Sequence, residues 1–361
     1  MSYYDQYKSK LRTPEEAVKA VKSGDWVEYT TSNGFPALLD EALAARKDEL
    51  SDVKIRGNLI FGPIKVVECD PQREHFIYNS WHCSAYERKL CDKGLCNYIP
   101  MIFRNVVEYY KNFLEINVAM ISVTPMDAHG YFNLSTSTGI AKGILDKADI
   151  VIVEVNENLP RVYGGIGDSI HISEVDMVVE GKHGPLFQVH LDEPTEAEIK
   201  IAEHIMPYIP DSATLQLGIG GIPSAVGRKL AESDVKDLSG HTEMLVDSYV
   251  DLYEAGKITG NKNRDKGKII YAFAGGTQRL YDFINDNQIV FNAPVSYVNN
   301  VGVVASIDKF ISINGCIDLD LYGQVNAETA GYQQISGTGG QLDFAQGAFA
   351  AISNIITAVV V

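Results

Sequence analysis

Nowhere in the 361-residue chain is there a run of about 20 consecutive apolar residues, so no segment reads as a membrane-crossing helix. The amino terminus, MSYYDQYKSKLRTPEE, carries no apolar stretch of the kind a secretory leader needs, and the expected location is the cytoplasm. Clusters of Lys and Arg are missing too. With 31 basic and 47 acidic side chains the formal charge is −16, which removes the electrostatic footprint of a DNA- or RNA-binding protein. Cysteine is sparse: Cys69, Cys83, Cys91, Cys96 and Cys316 include no CxxC pair. Zinc or thioredoxin-like chemistry is therefore not indicated. Cys91 and Cys96 lie near His82 and Cys83, but no second spaced pair completes a tetrahedral set, and no metal is expected. The GxGxxG dinucleotide spacing, the GxxxxGK[ST] phosphate loop, HExxH and a Ser-His-Asp order are likewise missing. A nicotinamide dehydrogenase, a metalloprotease and a serine hydrolase lose their usual signatures.

Hydrophobic residues make up 45% of the chain and charged residues 22%, the balance of a globular protein. Its length exceeds what one ordinary core serves and suits two domains. Thr13-Pro14-Glu15-Glu16 reads as a helix start, with Thr13 as N-cap and Pro14 in the first helical position. Gly24-Asp25 then turns the chain into the strand WVEYT. The same rhythm recurs in the apolar runs VKIRGNLIF, NVAMISV, DIVIVEV, TLQLGIG, KIIYAFAG and FISING. They are separated by helical patterns such as PALLDEALAARKDEL, IFRNVVEYYKNFL and IPSAVGRKLAE. Short β-branched runs alternating with amphipathic helices predict an α/β fold: two α/β domains with largely parallel sheets flanked by helices. The turn-rich stretch GKHGPLFQVHLDEPTEAE, followed by a helix near Glu196, places the boundary. Residues 1–190 form one domain and residues 191–361 the other.

Three turns in the second half carry the candidate chemistry. In Gln216-Leu217-Gly218-Ile219-Gly220-Gly221-Ile222-Pro223 a strand runs through glycines into a helix. Such a turn either brings backbone N–H groups and a helix N-terminus to an anion or is a tight turn with no ligand. Ser239-Gly240-His241-Thr242-Glu243-Met244 places a carboxylate between a glycine break and apolar residues, where the end of a strand in an α/β protein builds a site. His241, two residues away, shares a strand face with Glu243 and acts either as a base or as a hydrogen bond that fixes the loop. Ser336-Gly337-Thr338-Gly339-Gly340 is either a hairpin turn or a loop aiming N–H groups at a developing oxyanion. In the first half, Pro125–Tyr131 is a candidate lining for an acyl pocket or an ordinary turn, and Trp81 reads as core.

GIGGIPSAVG, HTEMLVDSYVDLYEAGKI, YGQVNAE and SGTGGQLDF, with EEAVKAVKSGDWV, NSWHCSAYERKL, PMDAHGYFN and IVEVNENLPRVYGG before them, resemble in order and spacing the acetyl-CoA hydrolase/transferase family of class I CoA transferases. The likeness runs through nearly the whole chain. It implies that Glu243 is the nucleophile, carried through a glutamyl-CoA thioester. It further implies that Gly218, Ile219, Gly220, Gly221 and Ile222 bind CoA, with Ile317 as a further contact. Gly339 and Gly340 are implied as oxyanion and CoA contacts, and Asn299 as a residue holding the glutamate. The implied reaction moves CoA between a short-chain acyl-CoA, such as butyryl-CoA, and a carboxylate such as acetate. CoA is then a substrate, no cofactor is permanently bound, and the chain is a homo-oligomer. The alternatives are a thioester hydrolase using the same site and a non-catalytic CoA-binding protein. A carboxylate at its ordinary pKa of about 4.3 is already ionised at neutral pH, so no perturbation of Glu243 is expected. The chain ends sooner after GTGGQLDF than the family pattern does, which predicts a shortened C-terminal domain.

Overall fold

Val118–Val123 and Ile269–Ala274 are buried at every position, the signature of central strands covered on both faces. Each belongs to a different parallel sheet. The computed structural model describes residues 2–189, 192–351 and 356–360. The first sheet has eight strands: β1 (Leu11–Arg12), β2 (Trp26–Thr31), β3 (Val53–Asn58), β4 (Phe76–Ser80), β5 (Cys96–Tyr98), β6 (Val118–Val123), β7 (Ile150–Val155) and β8 (Met177–Glu180). They lie in the order β1-β8-β7-β6-β2-β3-β4-β5, all parallel. The second has six: β9 (Thr214–Leu217), β10 (Ser239–Leu245), β11 (Ile269–Ala274), β12 (Val290–Asn292), β13 (Phe310–Gly315) and β14 (Ile356–Val360). Their order is β12-β11-β10-β9-β13-β14, again all parallel. Two largely parallel, helix-flanked sheets are the expected α/β architecture, and three two-stranded antiparallel pairs decorate them.

Local signals act where the sequence places them. Thr13 caps Pro14–Ala17 and accepts the N–H of Glu16, and Gly24 adopts φ +88° ahead of β2. Thr195 begins Glu196–Ile205 with a reciprocal Thr–Glu198 capping box. Packing between the halves is extensive. One hydrophobic cluster runs from Trp81 and Phe103 through β11 to Phe344, and Phe103 meets Phe273 edge-on at 6.0 Å. Asn33 donates to the Tyr281 hydroxyl across the same seam at 2.8 Å. Among the described residues no helix is long and apolar enough to cross a membrane.

The order of the second sheet positions the site. From β9 the chain steps through β10, β11 and β12 to one side, then returns to β13 on the other. The carboxyl ends of β9 and β13 therefore flank a topological switch point, where open α/β sheets bind ligands. Below the opening, the Gln216 and Asn314 side-chain amides exchange hydrogen bonds of 3.0 Å, and the Ser312 hydroxyl donates to Gln216 at 2.5 Å. This satisfied polar knot locks β9 to β13.

Candidate active site

Glu243 lies inside β10, not at its end, a departure from the sequence reading. β9 pairs with β10 only at Thr214–Ser239 and Leu215–Gly240, so past Gly240 the two strands part and the carboxylate enters the gap. Gly240 is not a chain break either. A Cβ there would come within 2.8 Å of Ile269 and 3.0 Å of Tyr249, so glycine serves close packing.

The carboxylate is held by two donors. Asn299 Nδ2 donates to Oε2 at 2.5 Å, and the Gly340 backbone hydrogen-bonds the same group. Asn299 Nδ2 also reaches Asp343 Oδ2 at 3.0 Å. Asp343 in turn accepts from the Arg104 guanidinium at 2.7 Å and from its backbone N–H at 3.3 Å. Asp343 thus has both oxygens committed, and its side chain is fully buried. Of the two carboxylates, Glu243 alone borders the open cleft. Burial pushes the Glu243 carboxyl up to about 7, and the nearby Asp343 charge adds to the shift while the Asn299 and Gly340 hydrogen bonds oppose it. The expectation of an ordinary carboxylate is corrected: desolvation between two packed domains outweighs two donors.

His241 is the loop-fixing histidine, not a base. Its Nε2 lies 2.8 Å from the Val298 carbonyl, its ring packs among Tyr297, Phe310 and Phe344, and burial pushes it down to about 4. The neutral ring pins the residue next to Asn299.

The glycine loop 336–340 docks on the first half of the chain. Cys83 N–H donates to Ser336 O at 3.1 Å, Phe103 N–H to Gly339 O at 3.3 Å, and Thr338 N–H to the Tyr98 hydroxyl at 3.2 Å. A Cβ on Gly340 would sit 2.0 Å from Glu243 Oε2 and 2.3 Å from Asn299 Nδ2, so no larger residue fits. Gly339 has φ +50°.

Gly218 and Ile219 line an open cleft of about 1100 Å³ together with Ile317, Glu243, Gly339 and Gly340. Gly220, Gly221 and Ile222 do not line this cleft. Ile222 is buried in the core, Gly221 packs against Glu198, where a Cβ would lie 1.8 Å from Oε1, and Gly220 (φ +128°) leads into the helix Gly221–Glu232. A wider cleft of about 1330 Å³ borders the far side of Ile219. Its Arg228 and Arg279 are already paired with Glu193, Asp251 and Glu254.

Behind Glu243 lies a narrow, nearly filled recess walled by Leu59, Trp81, Met101, Phe103, Val106 and Phe273. Trp81 is buried, as expected, and its Nε1 donates to the Tyr110 hydroxyl at 2.9 Å, yet one face forms this wall. The loop Pro125–Tyr131 does not reach the recess. Asp127 Oδ1 closes it as a local turn by accepting the N–H groups of His129 and Tyr131, and Gly130 packs against His171 and Tyr3. Sequence reasoning missed Arg104, Asp343, Asn58 and His82 as site residues. Asp343 and His82 fall inside quoted motifs, but their spacing carries no sign of what they face. Among the described residues no group of three or more His, Cys, Asp or Glu side chains is arranged to hold a metal ion.

The acetyl-CoA hydrolase/transferase N-terminal domain model matches residues 1–187 and the corresponding C-terminal domain model residues 276–358. Butyryl-CoA:acetate CoA-transferase from Anaerostipes caccae is 49% identical over 352 residues, covering 97% of this chain and 79% of that protein. The 4-hydroxybutyrate coenzyme A transferase of Clostridium kluyveri is 38% identical over 351 residues, covering 96% and 80%. The crystal structure of RipA from Yersinia pestis superimposes with a TM-score of 0.92 at 33% identity, covering 99% of this chain and 83% of that one.

Proposed function

The chain belongs to the acetyl-CoA hydrolase/transferase family, and from that premise we propose that it is a CoA-transferase moving CoA between a short-chain acyl-CoA, such as butyryl-CoA, and a carboxylate such as acetate, with Glu243 as nucleophile. The observation that carries the reading is a single accessible carboxylate, held by Asn299 and Gly340, between a long cleft and a small apolar recess. A CoA thioester spanning such a site has its tail in the cleft past Gly218, Ile219 and Ile317 and its acyl chain directed at the recess. On this reading residues 1–190 supply most of the acyl wall, which Phe273 completes from the second half, and residues 191–361 supply the nucleophile and most of the CoA cleft.

Glu243 attacks the thioester carbonyl, and the resulting tetrahedral intermediate expels CoA thiolate to leave a mixed anhydride. The thiolate attacks the glutamyl carbonyl, the acid departs, and a glutamyl-CoA thioester remains. An incoming carboxylate reverses both steps. Thioester is exchanged for thioester, so no ATP is consumed, and the covalent route divides one difficult transfer into easier ones. Asn299 and Gly340 sit where charge develops on the glutamyl oxygen. The loop 336–340, sealed against Cys83 and Phe103, keeps water from the anhydride, which favours transfer over hydrolysis.

The test is CoA turnover from butyryl-CoA with and without acetate. Transfer predicts acetyl-CoA formation that depends on acetate, with little free CoA. Acetate-independent release of free CoA would make the protein a hydrolase, and tight CoA binding with neither product would make it a binding protein.

The raised Glu243 pKa gives the reaction an acid limb. Attack needs the carboxylate, so kcat/KM for butyryl-CoA rises with pH up to about 7 and falls roughly tenfold per unit below it. Asn299→Ala removes a bond that favours the ionised form and shifts this limb to higher pH. A wild-type profile flat from pH 5 to 8 would contradict the assignment.

A further inference from the structure

The reaction passes through two oxyanions, and the residues around Glu243 account for one. When thiolate attacks the glutamyl carbon, charge gathers on a Glu243 oxygen, where Asn299 Nδ2 and the Gly340 backbone already point. In the earlier step charge gathers on the substrate's own carbonyl oxygen, at the mouth of the apolar recess. Four polar side chains border that recess: Glu243, Trp81, His82 and Asn58. Glu243 is the attacking group, and the Trp81 N–H is committed to Tyr110.

His82 is placed for the remaining task. Its ring borders both the recess and the CoA cleft, and no hydrogen bond to a described residue occupies it. The backbone around it is fixed: its carbonyl accepts the Leu59 N–H at 3.0 Å and the Ser80 hydroxyl at 3.1 Å. The glycine loop is moulded to the imidazole. A Cβ on Gly337 would approach His82 Nδ1 to 3.0 Å, and one on Gly339 would approach Cε1 to 3.2 Å while lying 3.7 Å from Glu243 Oε1. Imidazole and nucleophile therefore flank the same glycine. Asn58 reaches the same recess through a buried, unpartnered Oδ1, but an amide oxygen is an acceptor and cannot hold a carbonyl oxygen that also only accepts.

We infer that His82 is a further catalytic residue, whose ring N–H binds the acyl carbonyl oxygen of the thioester and, after transfer, an oxygen of the carboxylate. As Glu243 bonds to the carbonyl carbon, the C=O electron pair moves onto that oxygen and is held by the N–H. Its collapse expels CoA thiolate, and His82 neither gains nor loses a proton. A neutral ring suits this role, and burial with the Arg88 charge pushes His82 down to about 4, so it donates without pairing permanently with Glu243.

This rests on the transferase reading, and the experiment separates the two. Acetate-dependent turnover of butyryl-CoA and the affinity for free CoA are measured for wild type, His82→Ala, His82→Gln and His82→Met. His82→Ala and His82→Met are expected to lose about 100-fold or more in kcat with free-CoA affinity unchanged, and His82→Gln, which keeps an N–H donor, to recover at least tenfold of that. His82→Met retains bulk without a donor, so the Gln–Met pair decides the matter if the alanine variant does not fold. Equal rates in the Gln and Met variants, or a fall in free-CoA affinity matching the loss of rate, would overturn the inference. An inactive wild type would instead sink the transferase reading.

Discussion

Glu243→Ala is expected to lower acetate-dependent CoA exchange by at least about 10⁴-fold and to abolish covalent capture. Incubation with butyryl-CoA and borohydride reduces a glutamyl-CoA thioester to the alcohol, so intact wild-type protein loses one oxygen and gains two hydrogens. The alanine variant stays at its starting mass. The large effect follows from the absence of a substitute. The neighbouring carboxylate, Asp343, has its oxygens bound by Arg104 and Asn299, and releasing it would strand a buried ion pair at a cost of about 3–5 kcal/mol. Folding should be unaffected or improved, because a carboxyl whose native pKa is raised to about 7 loses native stability as pH climbs from its unfolded value through that point. Mass loss in the alanine variant would place the nucleophile elsewhere.

Gly340→Ala is the second severe change, with kcat expected to fall about 10²- to 10³-fold. The effect is steric at the nucleophile. The new methyl would stand 2.0 Å from Glu243 Oε2 and 2.3 Å from Asn299 Nδ2, less than any non-bonded contact allows, so the carboxylate must swing away or the loop must lift from Phe103. Backbone strain is not involved, since Gly340 has φ −106°, open to any residue. Gly339→Ala provides the contrast. It forces an L-residue into the left-handed region at φ +50°, costing about 1–2 kcal/mol, but its methyl meets the edge of His82 at 3.2 Å and stays at an ordinary contact distance of 3.7 Å from Glu243 Oε1. The activity of the alanine-339 variant should lie well above that of the alanine-340 variant. The reverse order would mean that the loop does not hold Glu243 as described.

Much of the fold was legible from local pattern. Nearly continuous apolar runs marked β6, β7 and β11 because strands covered on both faces admit little else, and capping residues such as Thr13 and Thr195 act within a few bonds of their targets. Glu243, Asn299 and the glycine loop were reachable because the family resemblance reads motifs as strings. The strings carried no distances. Arg104 meets Asp343 across 239 positions, and His82 meets Gly339 only because two separately folded sheets press together. The Pro125–Tyr131 loop shows the converse, a motif whose turn chemistry is satisfied by its own Asp127 and which needs no ligand to explain it.

The sequence by itself determined the parallel α/β architecture, the absence of a nucleic-acid footprint and the identity of the candidate nucleophile, because periodicity, charge and motif order are properties of neighbouring residues. The tertiary structure alone decided which carboxylate is free, how far burial raises its pKa, and which histidine braces the loop and which faces the recess. Those depend on desolvation and on hydrogen bonds between distant segments, and both arise only when the two sheets close on one another.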